Sequence, residues 1–225
     1  MPAEKRYSIT YLFIAALVLA AGCQTGAGKP GGGAAPEAKQ PEPSKEAAEE
    51  KPSPPKKNLE YSALDKNSRS LLDAAFKGDA KKVSAMLEKG AEIDGRDPRG
   101  ETALSIASFR GYADLVRQLL KSGADANSAD KQGQTALMKA CAAERAEVVN
   151  DLLKAGAKVN PQDRTGATAL MFSALGKNAD IVRALIKYGA SLNARNKEGK
   201  TALGLAEGFE NETVADIIAA AGGVK

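Results

Sequence analysis

The chain is 225 residues long, enough for one or two domains, and carries 32 basic and 28 acidic residues for a formal charge of +4. It has no histidine and only two cysteines, which excludes a Ser-His-Asp triad, a Cys-His pair, a His-ligated metal, a cysteine-rich zinc module and a disulfide framework. The charge imbalance is too small to argue a nucleic-acid surface or an acidic substrate, and with no Trp and only ten Phe and Tyr the core must be built from Ala, Leu and Val.

At the start of the chain, Lys5 and Arg6 precede an uncharged run, Ile9 to Ala21, of 13 residues. A membrane-spanning helix needs about 20 such residues. The run therefore reads as the apolar region of a secretory signal peptide. Leu19-Ala20-Ala21-Gly22-Cys23 follows. It resembles the lipobox of bacterial lipoproteins, in which small residues precede a Cys that is lipidated and becomes the new N-terminus. One departure is Ala20, where Leu is commonest. The resemblance implies that residues 1–22 are removed, that Cys23 is acylated, and that the protein is anchored in the bacterial cell envelope. Gln24 in place of Asp favours the periplasmic face of the outer membrane. Each buried methylene of an acyl chain contributes about 0.8 kcal/mol, so two or more chains hold stably.

Residues 23–58 read as a tether. Between 24 and 58 lie seven of the ten prolines and Gly31-Gly32-Gly33, with no Val, Ile or aromatic residue. Such a segment cannot bury enough apolar surface to offset its ordering entropy. As a flexible coil it spans roughly 33 Å, enough to hold a folded part off a membrane. Six Lys against five Glu give it a net charge near +1, too little for electrostatic adhesion to lipid. Gly26-Ala27-Gly28-Lys29 imitates a phosphate loop. Cys23 stands where the first Gly of that motif belongs, and Pro30 where its Ser or Thr belongs.

Residues 59–225 are a repeat array. Gly100-Glu101-Thr102-Ala103-Leu104 recurs at Gly133, Gly166 and Gly199, each step 33 residues long. Gly90, Gly123, Gly156, Gly189 and Gly222 keep the same register. The copies span about 66–98, 99–131, 132–164, 165–197 and 198–225. In one copy, Gly100 supplies a tight turn and Thr102 sits where a helix N-cap is expected. Leu104 and Ala107 mark a short inner helix, broken at Arg110-Gly111. Leu115, Val116, Leu119 and Leu120 give the stripe of a second helix, which Gly123 ends. The polar stretch from Asp125 to Gln132 projects as a loop. Neither helix buries its stripe alone, so neighbouring copies must stack.

This pattern resembles the ankyrin repeat, with its T-P-L-H-x-A signature and Leu-Leu-x-x-Gly-Ala segment. The latter is matched by Leu119 to Ala124, Leu152 to Ala157 and Leu185 to Ala190. The resemblance implies an all-α ankyrin-repeat solenoid of about five helix-turn-helix repeats with hairpin-like loops. Two positions depart. The signature Pro is Ala103, Ala136, Ala169 and Ala202, which a helix tolerates. The signature His is Ser105, Met138, Met171 and Gly204. In the family that His ties adjacent loops, so here the bonds are replaced or absent, and Gly204 should loosen the last inner helix. Lys66, Arg69, Lys77, Lys81 and Lys82 at one end, and Glu210, Glu212 and Asp216 at the other, read as wet caps.

No residue constellation for catalysis, cofactor or metal emerges. Cys141 reads as a small buried core residue. Asp94, Asp97, Asp125, Asn127 and Asp130 lack the spacing of a calcium loop and read as solvated turn residues. Asn211-Glu212-Thr213 matches a glycosylation sequon but is better placed to begin the last helix. The ankyrin resemblance implies a non-enzymatic protein–protein interaction scaffold that contacts its partner through loop tips and the exposed edge of the inner helices. Carried onto this chain, the tips include Arg99, Glu101, Lys131, Gln132, Gln134, Arg164, Lys197, Glu198 and Lys200. Phe76, Phe109, Ala142 and Leu175, in one register, with Arg110 and Phe209 beside them and Tyr188 near the same side, form a candidate apolar strip. A basic-rimmed apolar strip suits an envelope protein with an apolar, mildly acidic patch; packing between repeats is the competing use of those aromatics. We expect a monomer, with the membrane reached through the lipid on Cys23 and with neither nucleic acid nor small-molecule substrate bound. Some periplasmic members of the family are tied to catalase function. The resemblance therefore also admits an accessory factor for an oxidative-stress enzyme.

Overall fold

The computed structural model describes residues 64–225. The expected signal peptide, Cys23, the expected tether and residues 59–63 lie outside the described residues.

Ten helices are described, arranged as five consecutive hairpins. The first is α1 (Lys66–Lys77) with α2 (Ala80–Glu88), and the second α3 (Ala103–Arg110) with α4 (Ala113–Lys121). Next come α5 (Ala136–Ala142) with α6 (Ala146–Lys154), and α7 (Ala169–Ala174) with α8 (Ala179–Lys187). The last is α9 (Ala202–Gly208) with α10 (Glu212–Ala220). Odd-numbered inner helices pack on one another in succession, and so do the even-numbered outer helices. The all-α repeat solenoid expected from the 33-residue period is the observed architecture.

The inner helices are short, and their starts are fixed by side-chain caps. The hydroxyls of Thr102, Thr135, Thr168 and Thr201 accept hydrogen bonds from the N–H groups of Ser105, Met138, Met171 and Gly204. Each bond satisfies one orphan donor of a first helical turn. Ser105 makes the cap reciprocal, its Oγ accepting from the Thr102 N–H at 3.0 Å. The last inner helix forms in spite of Gly204. In α1 the cap is Asp65, whose Oδ1 accepts from the Ser68 N–H at 2.6 Å, and that bond holds its carboxyl below the usual range.

Leu104, Leu137, Leu170 and Leu203 point into the stack and are buried, as are Ala107, Ala140 and Ala206. Val116, Leu119, Val149, Leu152, Val182 and Leu185 of the outer helices close the core from the other side. Cys141 is fully buried at the position that Ser108 and Ala174 fill in neighbouring repeats, and burial pushes its thiol pKa up.

Between repeats the chain projects a finger. Each is a tight hairpin in which the N–H of Asp97, Asp130, Asp163 or Asn196 donates to the carbonyl four residues later, at 2.9–3.0 Å. Gly100, Gly133 and Gly166 turn these hairpins with φ of +80 to +82°. A Cβ at Gly100 would lie 2.9 Å from the Lys131 nitrogen of the next finger, so both the turn and the stacking require glycine.

Candidate functional site

The fingers are held by two periodic ladders. At the tips, the backbone N–H of Lys131 donates to Arg99, that of Arg164 to Gln132, and that of Lys197 to Thr165, at 2.8–3.0 Å. Nearer the outer helices, the side-chain oxygens of Asp94, Asn127, Asn160 and Asn193 accept from the N–H groups of Asp125, Lys158, Ser191 and Val224, at 2.8–2.9 Å. Each acceptor stands 33 residues after the last, and each bond crosses from one repeat to the next. These bonds supply the inter-repeat ties expected to be lost with the signature His.

The finger carboxylates were expected to be solvated, and the structure corrects this. Oδ1 of Asp97 accepts from the N–H groups of Arg99 and Glu101, both at 2.8 Å. Asp130 does the same for Gln132 and Gln134, and Asp163 for Thr165 and Ala167. Asn196 repeats the arrangement with its amide oxygen. These side chains point inward because each turn has two backbone donors to satisfy. The 33-residue spacing of Asp97, Asp130, Asp163 and Asn196 was the signal that could have found them.

Glu101 is likewise not the exposed tip residue the repeat pattern suggested. Its side chain is 5% exposed and takes the Lys139 ammonium on Oε1 at 2.7 Å and Arg99 on Oε2 at 2.5 Å. Lys139, on α5, is itself 2% exposed and also reaches Asp130 Oδ2 at 2.7 Å. Asp97, Arg99, Glu101, Lys139 and Asp130 thus form one chain of alternating charge joining the second and third repeats. The sequence reading missed Lys139, although its register with the apolar Ile106, Phe172 and Leu205 was the signal for an inward position.

The other expected tips divide. Arg99, Lys131, Gln132, Arg164 and Lys197 are exposed, while Gln134 and Lys200 are half-buried. Gln134 Nε2 donates to Asp163 at 3.5 Å, and Lys200 Nζ lies 3.4 Å from Glu198.

The apolar strip is more closed than expected. The Arg110 guanidinium lies 3.8 Å above the Phe76 ring, in cation–π geometry. Phe109, Leu175 and Phe209 are half-buried at the ends of α3, α7 and α9. Tyr188 does not share their side. It caps the C-terminal end of α8, a nine-residue helix that starts beside the end of α7, and so lies about 13 Å away along that helix. Tyr188 and Val224 are the exposed large hydrophobic residues among those described. At the sequon, Asn211 Nδ2 donates to the carbonyls of Ala174 and Gly176, so the amide is engaged between repeats.

Among the described residues no cluster of His, Cys, Asp or Glu is arranged to hold a metal, and no helix is long and apolar enough to cross a membrane.

Two family profiles match the chain, one described as ankyrin repeats (3 copies) over residues 71–163 and one as ankyrin repeats (many copies) over residues 152–206. The chain belongs to the ankyrin repeat family. Ankyrin repeats are protein–protein interaction modules, generally non-enzymatic scaffolds, and no catalytic family matches. A comparison with curated proteins returns no match.

Proposed function

We propose that this ankyrin protein is a non-enzymatic, lipid-anchored scaffold of the bacterial cell envelope, which presents its finger edge and inner-helix ends to a protein partner. The observation that carries the reading is the pair of inter-repeat ladders, which hold exposed tip residues of four successive fingers in fixed relation. A preordered surface loses little conformational entropy on binding. The anchor rests on the sequence around Cys23, with the tether of residues 23–58 giving the array reach from the membrane. Membrane fractionation of the full chain and its Cys23→Ser variant, with mass spectrometry of the mature N-terminus, tests it. We expect an acylated Cys23 and a membrane-bound chain that the substitution releases. An unlipidated, soluble wild type would remove the envelope anchor and leave the interaction module.

A further inference from the structure

Net charge conceals how the fingers distribute their charges. Residues 59–225 have 24 basic and 22 acidic residues, nearly balanced. In the fingers the two signs are separated in space. Asp97, Glu101 and Asp130 have side chains 13%, 5% and 6% exposed, spent on turn N–H groups and on Lys139. Asp163 is 7% exposed and spent in the same way. The tip cations Lys131, Arg164 and Lys197 are exposed, whereas Arg96 is folded back to donate to the Gly100 and Ala129 carbonyls. No carboxylate of the described residues pairs with Lys131, Arg164 or Lys197, whereas on the outer helices Arg117 is held by Asp114, Glu147 and Asp151. Glu198 is the acidic exception on the last tip, and it faces Lys200.

Lys131, Arg164 and Lys197 occupy the same register, 33 residues apart, and each donates its backbone N–H to the preceding finger. They therefore stand in a row at the repeat spacing, about 8–10 Å where helices pack side by side. A polyproline II segment has three residues per turn and a rise of 3.1 Å, so every third side chain returns to one face after about 9 Å. A β-strand turns every third side chain to the opposite face. Polyproline II is also a major conformer of unfolded chains, so it docks on a narrow edge with little ordering cost, which an acidic helix does not.

Resting on the scaffold reading above, we propose that the row of Lys131, Arg164 and Lys197 takes an extended acidic segment of the partner protein, with Asp or Glu at every third residue. The carboxylates face one finger each. Recognition is by charge and spacing, so it weakens with added salt.

Fluorescence anisotropy with the full chain tests this, using a labelled peptide of repeating Glu-Pro-Pro. The comparison peptides have the same composition with the Glu residues clustered, or Gln in place of Glu. We expect the spaced peptide to bind, the Gln peptide not to bind, and the clustered peptide to bind several-fold more weakly. Lys131→Gln, Arg164→Gln and Lys197→Gln combined should weaken the spaced peptide about tenfold, as three exposed ion pairs imply. These side chains are exposed, and an unchanged circular dichroism melt confirms that the variant is folded. Equal affinity for spaced and clustered peptides, or no loss in the folded triple variant, overturns the proposal. So does tighter binding of a helical peptide with Glu at heptad spacing, or binding to phosphatidylglycerol vesicles but not to the peptides. Any of these failures leaves the scaffold reading standing if a partner still crosslinks to the finger edge; loss of both ends that reading too.

Discussion

Lys139 shows how one side chain departs from the repeat pattern and what that departure costs. Ile106, Phe172 and Leu205 fill its position in neighbouring repeats, and all three are buried. An ammonium placed there needs counter-charge, and Glu101 and Asp130 supply it at 2.7 Å each. Removing one member of a buried ion cluster strands the others, at a cost of about 3–5 kcal/mol, whereas replacing the whole cluster by apolar and neutral groups is often near neutral. We expect Lys139→Ile alone to lower stability by that amount in urea titration. Adding Glu101→Gln and Asp130→Asn should restore most of the loss, because Gln134 and Asn196 already hold the equivalent places. Equal stability of single and triple variants would show that the cluster is not electrostatically coupled. The 33-residue register shows Lys139 out of pattern but not what pairs with it, since its partners are 38 and 9 residues away and meet it only once the fingers stack.

At the scale of elements, the Thr caps, the finger glycines and the paired helices were legible because each follows from a local rule of backbone conformation. The inner-helix ends were less so. Gly78 and Gly111 end α1 and α3 in the left-handed region, but Glu144 and Glu210 adopt the same conformation, with φ of +56° and +55°, where an L-residue is disfavoured. The residue type at this register position varies, and in the fourth repeat Lys177 does not adopt the turn, so the register is hidden. The Asn and Asp ladder was hidden differently, since its acceptors are 31 residues from their donors and read locally as loop polarity. Asn160 serves it twice: its Oδ1 accepts from the Ser191 N–H at 2.8 Å and its Nδ2 donates to the Gly189 carbonyl at 3.0 Å. Asn160→Ala should cost about 1–2 kcal/mol, as two exposed hydrogen bonds imply. It should speed hydrogen exchange at Ser191 while leaving the first repeat protected. Unchanged exchange at Ser191 would mean that the ladder does not couple repeats three and four.

For the whole molecule, the near balance of charge in the composition is real, but it misleads about the surface. Folding consumes finger carboxylates in turns and in the Lys139 cluster, leaving cations outside. The apolar strip moves the other way, because Arg110 covers Phe76 and Tyr188 belongs to the far end of an outer helix. A partner surface on this ankyrin array is therefore expected at the basic finger edge more than on exposed aromatics. Site-specific photocrosslinking in cells tests this directly. A photoreactive side chain is placed in the full chain at Gln132 or Thr165, on the finger edge, or at Asn150 or Arg183, on exposed faces of the outer helices. We expect one discrete protein crosslinked from Gln132 and Thr165 and none from Asn150 or Arg183. A partner captured from the outer helices alone would contradict the assignment of the finger edge as the binding surface.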